Sequence, residues 1–216
     1  MDRVKRGREV YTLKYTAELI NLMGFDAVKV ADPHSIASEM AINKIIKLRI
    51  DEIIKEVIDD IEGKFIDDGK SYGEKTVIYF PDDGAMKRYK DLPCFEGRTL
   101  VYGKKNRDWD TGKILGIGVY NQRGEIAGTE DLKDKVVLMI DDIVSYGGTL
   151  AYSADRLREL GAASVYAYAT HTENSVLDEE KGTLLKRLNN GTVDILYTTN
   201  SIYNGEHPSI CTICEF

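Results

Sequence analysis

The sequence predicts an α/β protein in which a mostly parallel sheet is flanked by helices. Segments typical of strands alternate along the chain with segments typical of helices, which is the pattern of parallel sheets. The predicted strands are also short and almost continuously apolar, as strands are when both faces of a sheet are covered. A chain of 216 residues is long enough for one ordinary domain.

The first predicted elements are a helix and a strand. Residues 12–23 have the spacing of an amphipathic helix, with Gly24 just past its end. Residues 27–32 are typical of a strand that ends in an aspartate. From Ser35 as far as Val57, apolar residues recur at helical spacing, which predicts one helix or two.

Further strands and another helix are predicted in the rest of the chain. Each strand is a short apolar run, and the first of them enters a Pro-Asp-Asp-Gly turn. The helix covers residues 150–160 and ends at Gly161, and the last residues of the chain are typical of a terminal strand. The strands cover residues 76–84, 99–105, 136–142, 164–171 and 193–199.

Composition limits the class of protein. Hydrophobic residues make up 43% of the chain and charged residues 30%, as in soluble globular proteins, and the net charge is -7. This charge argues against a nucleic-acid-binding surface, and no apolar run is long enough for a membrane span or a signal peptide. We therefore expect a cytoplasmic protein without nucleic-acid or membrane partners.

The cysteines do not predict a metal or redox site. Cys94 stands alone, whereas Cys211 and Cys214 form a C-x-x-C pair in the terminal strand. Residues three apart on a strand point to opposite faces, so this pair is interpreted as ordinary strand residues.

Polar groups follow five of the predicted strands. Because the carboxyl ends of parallel strands meet at one edge of a sheet, we expect these groups to converge on a ligand site there. A single polar strand end would need no such explanation, since strands must end in something polar. The five groups are Asp32-Pro33-His34, Asp82-Asp83-Gly84, Lys104-Lys105, Asp141-Asp142 and Thr170-His171.

The segment VVLMIDDIVSYGGTL, residues 136–150, carries the most specific chemistry. Gly147 and Gly148 allow a sharp turn into a helix, whose first amide groups attract a phosphate, and Thr149 adds a hydroxyl donor. Asp141 and Asp142 would repel a phosphate but suit ribose hydroxyls or a cation. The segment therefore predicts a sugar-phosphate site, and the alternative is a merely polar connection between strand and helix.

This segment resembles the phosphoribosyl diphosphate (PRPP) signature of type I phosphoribosyltransferase-like proteins. Within that superfamily the chain is similar to the ribose-phosphate diphosphokinases, or PRPP synthetases, over residues 1–202. VADPHS resembles the family's Asp-x-His-Ser segment, YFPDDGAMKR its diphosphate loop and KKNR the Lys-x-Arg of its mobile catalytic loop. VYAYATH and YTTNSI resemble two further family segments in the same order.

The resemblance implies a reaction and a set of site residues. The family transfers the β,γ-diphosphate of ATP to the anomeric hydroxyl of ribose 5-phosphate, with Mg²⁺ as cofactor. Asp141 and Asp142 would hold the ribose hydroxyls and the metal ion. The turn would hold the 5-phosphate, through Ser145, Tyr146, Gly147, Gly148 and Thr149.

The remaining residues implied by the resemblance belong to the ATP side of the site. His34 and Asp82 would position Mg²⁺ and ATP, and Gly84 and Arg88 belong to the diphosphate-binding loop. Lys105 and Arg107 would be catalytic, closing over the transferring diphosphate on a mobile loop. Without the motif, His34 would be interpreted as a hydrogen-bonded structural histidine. Lys104, Lys105 and Arg107 would likewise be interpreted as an ordinary basic turn.

The resemblance also has departures. Family members extend further at the N-terminus, so residues 1–24 would lead from a missing N-terminal half into a phosphoribosyltransferase-like domain over 25–216. We then expect weak or no PRPP synthesis by this chain, and a homo-oligomer when the missing part is present. Ser145 and Tyr146 stand where the family has an acid and a threonine. This difference makes a variant sugar phosphate, such as ADP-ribose, an alternative substrate to ribose 5-phosphate.

Two further functions stay open at this point. One is a phosphoribosyltransferase that consumes PRPP, although no segment for holding a base is evident. The other is a non-catalytic regulatory relative of the synthetases, which the missing N-terminal part favours and the retained Lys105, Arg107, Asp141 and Asp142 disfavour.

Overall fold

The computed structural model describes residues 10–67, 76–107 and 114–214. The chain forms two compact units, Met1–Ile50 and Asp51–Phe216. That residues 1–24 lead in from a further N-terminal half stays a prediction. In the described parts of the chain, no helix has the length and apolar character needed to cross a bilayer.

The first unit is a small α/β arrangement. It contains helix α1 (Thr12–Leu22), strand β1 (Val28–Ala31), helix α2 (Ile36–Ala41) and strand β2 (Ile45–Leu48), and the two strands pair in parallel. The Asn21 side chain joins α1 to the segment after α2, because its amide donates to the Ala41 carbonyl and its oxygen accepts from the Asn43 amide. Several large apolar side chains of this unit stay exposed, among them Leu22 at 82% and Met40 at 83%.

The second unit is built on a large sheet. Its described strands lie in the order β5-β4-β3-β6-β7-β8-β9, all parallel except the edge strand β5. This confirms the predicted α/β class, with a mostly parallel sheet flanked by helices. The strands are β3 (Val77–Phe80), β4 (Leu100–Arg107), β5 (Ile114–Asn121), β6 (Val136–Val144), β7 (Ser164–Thr172), β8 (Leu196–Thr199) and β9 (Ile210–Cys214). The helices are α3 (Asp51–Asp67), α4 (Asp83–Tyr89), α5 (Thr129–Leu132), α6 (Gly148–Glu159) and α7 (Thr183–Asn189), with 3-10 turns at Pro93–Phe95 and Asn174–Leu177.

Helix α6 illustrates why the sequence folds this way. Leu150, Ala151, Ala154 and Leu157 recur at helical spacing and are all buried against the sheet. The helix ends where Gly161 takes a φ of 92°, a conformation that glycine adopts without a steric cost. Strands β6 and β7 lie at the centre of the sheet, and their buried runs explain the continuous apolar sequence there.

Strand order creates a crevice beside β3. From β3 the chain goes to β4 on one side, whereas β6, on the other side of β3, is followed by β7 further outward. The connections that leave the carboxyl ends of β3 and β6 therefore diverge. Such a switch point is where ligands bind in open α/β sheets.

The structure differs from the sequence-based expectations in four elements. The helical pattern from Ser35 is two helices, α2 and α3, with the parallel strand β2 between them. Short apolar runs fit either state, and pairing with β1 decides for the strand. The Pro-Asp-Asp-Gly turn opens helix α4, and β5 was not anticipated. The end of β1, with Asp32 and His34, belongs to the two-stranded sheet and not to the large one.

The glycine in β4 is required by close packing, which leads to a stability prediction. A Cβ at Gly103 would lie 2.2 Å from the Tyr79 hydroxyl and 3.0 Å from the Pro81 carbonyl oxygen. The Tyr79 hydroxyl cannot move freely because it is buried and donates to Ser153 Oγ at 3.0 Å. We expect Gly103→Ala to lower the free energy of unfolding by about 1–3 kcal/mol in urea denaturation.

Gly116→Ala in the neighbouring strand β5 is the matched control, since nothing lies within 4 Å of a Cβ at that position. It should change the free energy of unfolding by no more than about 0.5 kcal/mol. Equal losses in the two variants would show that Tyr79 does not restrict position 103.

Candidate functional site

The candidate site lies at the carboxyl ends of β3 and β6. The register pairs Tyr79 of β3 with Met139 of β6, so the residues that follow each strand emerge side by side. Asp82 lies just after the end of β3. Asp141 and Asp142 lie near the end of β6, which continues past them to Val144. The structure therefore brings these three predicted carboxylates to the same crevice edge of the large sheet.

The two aspartates of β6 are held by an arginine from α4. The Arg88 Nη2 donates to Asp142 Oδ1 at 2.7 Å and lies 3.8 Å from Asp141 Oδ1. Asp142 is buried, with 5% of its side chain exposed, and its own amide donates to Asp141 Oδ1 at 3.0 Å. Arg88 thus offsets part of the negative charge that the two adjacent carboxylates concentrate at this edge.

The surroundings of Asp141 favour the protonated form of its carboxyl group. Burial is the main cause that raises the pKa of Asp141, to about 8. The hydrogen bond and the charge of neighbouring Asp142 act in the same direction, whereas Arg88 opposes them. A cation placed at this pair would remove the proton and replace its charge, so the pair is suited to bind a metal ion or ribose hydroxyls.

The glycine turn follows the acid pair at the start of α6. Gly147 has a φ of 74° and precedes the first residue of the helix, Gly148. A Cβ at Gly147 would lie 2.3 Å from Leu184 Cβ, so both conformation and packing require glycine here. The first amide groups of a helix have no partner within it, and the turn with Thr149 therefore has the geometry of a phosphate-binding site.

Residues that sequence reasoning missed hold this turn in place. Ser145 Oγ lies 3.0 Å from Ser175 Oγ, and Ser175 donates to Glu173 Oε2 at 3.0 Å. The Leu184 amide donates to the Tyr146 carbonyl at 3.1 Å. These three partners come from the segment after β7. The β6–β7 register, which only the structure shows, places Thr172 opposite Val144 and hence residue 173 beside residue 145.

The predicted diphosphate loop is the start of helix α4. Asp82 is the N-cap of this helix and accepts the Ala85 amide at 2.9 Å. A Cβ at Gly84 would lie 3.0 Å from Asp82 Oδ1, which gives glycine a local packing role at this position. Roles for Asp82, Gly84 and Arg88 in binding a diphosphate or ATP stay predictions.

The predicted catalytic residues lie on an antiparallel ribbon. Strand β4 continues to Arg107 and pairs with β5, so Lys105 lies opposite Ile117 and Arg107 opposite Ile114. The backbones of both residues are thus in a strand and not in the expected loop, whose residues 108–113 lie outside the described part of the chain. Neighbouring Lys104 is exposed and its ammonium group lies 5.1 Å from the Tyr102 ring and 4.9 Å from the Tyr120 ring.

The other predicted rim residues divide between the two units. His34 follows β1 in the first unit, so its pairing with Asp82 at a metal ion stays a prediction. His171 ends β7 in the second unit, and its Nδ1 lies 2.8 Å from Ser201 Oγ. Thr199 Oγ1 donates to the Thr170 carbonyl at 2.6 Å, which joins the ends of β7 and β8 by side-chain hydrogen bonds.

The acidic residues fit a metal ion only in part. Within the described residues, no three acidic, histidine or cysteine side chains are close enough together to hold a metal ion. Mg²⁺, however, is commonly bound through one or two protein carboxylates, with water and substrate phosphates as its other ligands. Asp141 and Asp142 supply such a pair, so they fit a metal ion that arrives with a phosphorylated substrate.

Comparisons with known proteins agree with this geometry. The family model described as "Phosphoribosyl transferase domain" matches residues 37–193. The chain is 27% identical over 202 residues to a ribose-phosphate pyrophosphokinase of Clostridium perfringens, covering 93% of this chain and 56% of the relative. It is 27% identical over 207 residues to a ribose-phosphate pyrophosphokinase of Thermotoga maritima, covering 96% of this chain and 59% of the relative.

A solved structure shares the fold over nearly the whole chain. The crystal structure of phosphoribosylpyrophosphate synthetase from Mycobacterium smegmatis has a TM-score of 0.72 and 23% sequence identity, covering 99% of this chain and 62% of that one. This confirms the predicted phosphoribosyltransferase-type fold. The chain spans 56 to 59% of the length of these two curated relatives.

The glycine at the centre of the turn gives a prediction with a control of the same backbone conformation. Gly147 and Gly191 both have a φ of 74°, but nothing lies within 4 Å of a Cβ at Gly191. Gly191→Ala should cost about 1 kcal/mol of unfolding free energy, because only the left-handed backbone is strained. Gly147→Ala should cost about 1–3 kcal/mol more, because its methyl group also meets Leu184. Urea denaturation measures both losses, and equal values would argue against the contact with Leu184.

The raised pKa of Asp141 gives a prediction about stability and pH. The unfolded carboxyl ionises near pH 4, whereas the folded one keeps its proton until about pH 8. Ionisation therefore destabilises the folded protein increasingly as the pH rises between these two values. We expect Asp141→Asn to raise the free energy of unfolding, with a gain about 4 kcal/mol larger at pH 8.5 than at pH 5.

Urea denaturation of wild type and variant at both pH values measures this gain. Exposed Asp91→Asn is the control and should show no such pH-dependent gain. A gain for Asp141→Asn that is the same at pH 5 and pH 8.5 would contradict a raised pKa.

Proposed function

The chain belongs to the phosphoribosyl transferase domain family, and on that premise we propose that its crevice binds ribose 5-phosphate for PRPP synthesis. In this reaction the anomeric hydroxyl oxygen bonds to the β-phosphorus of ATP, the bond from that phosphorus to the AMP oxygen breaks, and the hydroxyl proton leaves to solvent. The names of the curated relatives support this ribose-phosphate diphosphokinase reaction. Because the chain spans little more than half their length, we propose that it has weak or no synthetic activity by itself.

One observation carries the proposal. Four residues, 143–146, join the acid pair Asp141–Asp142 to the glycine turn Gly147–Thr149 at the switch point of the sheet. The acids accept hydrogen bonds from hydroxyl groups, and the turn presents amide donors to a phosphate. A ribose phosphate has both groups at opposite ends of one ring, so a single ligand can satisfy both parts of the crevice.

The proposed roles follow from charge and position. Asp141 and Asp142 would hold the ribose hydroxyls and share Mg²⁺, which when bound neutralises phosphate charge. Arg88, already beside the pair, would face the diphosphate. Asp82, the N-cap of α4, would help to position Mg²⁺ and ATP at the start of this helix. Lys105 and Arg107 would stabilise the negative charge of the transferring diphosphate, because phosphoryl-type transfer depends mainly on positioning and electrostatic stabilisation.

A variant sugar phosphate is the second candidate substrate. Tyr146 is 40% exposed beside the turn, and its ring is available to stack on a group attached to the 5-phosphate. ADP-ribose carries such a group. In that case the diphosphokinase chemistry at the anomeric hydroxyl would be unchanged, and only the substrate would be larger.

Two other functions have less support. A PRPP-consuming phosphoribosyltransferase would share the acid pair and the turn, but the curated relatives are named for PRPP synthesis. A non-catalytic relative would keep the sugar-phosphate site without transfer. Assembly into a homo-oligomer is also proposed, and the exposed apolar side chains of the first unit support it.

Calorimetric titration tests the proposed binding site. We expect ribose 5-phosphate or ADP-ribose to bind more tightly with Mg²⁺ present than with a chelator, because a cation shared by Asp141, Asp142 and the ligand would offset the negative charge of the phosphate. Asp142→Asn should weaken binding by about 10-fold or more, since it removes a charged acceptor for the ligand. Exposed Asp91→Asn should leave the affinity unchanged. If neither sugar phosphate binds the wild-type chain, the proposed function is wrong.

Turnover separates a catalytic chain from a regulatory one. Formation of AMP from ATP in the presence of ribose 5-phosphate reports the transfer. We expect slow formation or none by this chain, and Lys105→Ala should abolish any turnover that is measured without weakening sugar-phosphate binding. Binding of ribose 5-phosphate with turnover that Lys105→Ala leaves unchanged would favour a non-catalytic role for the site.

A further inference from the structure

An acidic residue that belongs to no recognised motif lies against the predicted phosphate turn. Glu173 directly follows β7 and accepts a hydrogen bond from Ser175 Oγ at 3.0 Å. Ser175 Oγ in turn lies 3.0 Å from Ser145 Oγ, the first side chain of the turn. The nearby hydroxyl groups of Ser145 and then Ser175 lower the pKa of Glu173.

The backbone beside this cluster is fixed at both ends. The Glu173 amide donates to the Val144 carbonyl at 2.8 Å, directly before Ser145. The Leu184 amide donates to the Tyr146 carbonyl at 3.1 Å, directly after it. The side-chain cluster therefore lies between two backbone hydrogen bonds that join the same two segments.

The protons of the cluster have a definite arrangement. Each serine hydroxyl has one proton, whereas an ionised carboxylate only accepts hydrogen bonds. Because the Ser175 proton goes to Glu173, the hydrogen bond between the two serines must use the proton of Ser145. The Ser145 hydroxyl proton is then directed towards Ser175, and a phosphate in the turn would depend on backbone amides and Thr149.

We propose that Glu173 is a positioning residue for sugar-phosphate binding, which acts by holding Ser145 through Ser175 and thereby fixing the conformation of the turn Ser145–Thr149. Its carboxylate does not touch the substrate. The turn it fixes has amide groups that can bind a phosphate only if they already point together, since ordering a flexible turn on binding costs affinity. The expected effect on sugar-phosphate binding rests on the proposed function. The effect of Glu173 on the turn itself can be measured without any ligand.

The test uses four forms of the full chain: wild type, Glu173→Ala, Ser145→Ala and the double variant. Without ligand, hydrogen exchange of the amides of residues 145–149 should be about 10-fold faster in Glu173→Ala, because the turn opens more often. The double variant should be no faster than the quicker single variant, since both substitutions break the same contact. Glu173→Gln, which keeps a hydrogen-bond acceptor, should restore most of the protection.

Glu179→Ala is the matched control, because Glu179 is an exposed acid in the same segment six residues further on. It should leave hydrogen exchange in the turn unchanged. In calorimetry with ribose 5-phosphate and Mg²⁺, Glu173→Ala should bind about 3- to 10-fold more weakly than wild type and Glu179→Ala equally well.

The outcomes separate this proposal from the proposed function. Unchanged hydrogen exchange in Glu173→Ala overturns the positioning role, whatever the chain binds. Faster exchange with unchanged affinity overturns the link between the cluster and phosphate binding. If wild type binds neither ribose 5-phosphate nor ADP-ribose, the proposed function fails, and the hydrogen-exchange result still decides whether Glu173 holds the turn.

Discussion

The ion pair between Arg88 and Asp142 is the interaction on which the rest of the candidate site depends. Two adjacent carboxylates at the centre of a sheet would repel each other, and burial makes the repulsion costly. Arg88 reaches them from α4, the helix that follows β3, and so connects the two strands on either side of the crevice. The same contact keeps a cationic group beside the acids, where we propose that a diphosphate binds.

The turn after the acid pair depends on a second set of contacts. Its conformation requires glycine at position 147, but glycine also gives the unfolded chain more freedom, so the turn needs support from outside. That support comes from Glu173, Ser175 and Leu184, which follow β7. The acids are thus held from the β3 side of β6 and the turn from the β7 side, which makes the site a property of three neighbouring strands.

Much of the large sheet and part of the site could be predicted from the sequence. Apolar runs indicated β3, β4, β6, β7 and β8, because central parallel strands are buried on both faces. The acid pair and the glycine turn were also evident, since they lie together along the chain. Strand β2 was missed because a short apolar run fits either a helix or a strand. Helix α4 was missed because its capping residue Asp82 also suits a turn.

The sequence by itself determined the α/β class, the position of Asp141 and Asp142 after an apolar run, and the glycine turn that follows them. These are local features, because period and turn chemistry are read from adjacent residues. Only the tertiary structure decided that Arg88 pairs with the acids, that Glu173 is joined to Ser145 through Ser175, and that the end of β1 belongs to another sheet. Such contacts join residues far apart in the chain, and strand order and register, which set them, are not encoded in any one segment.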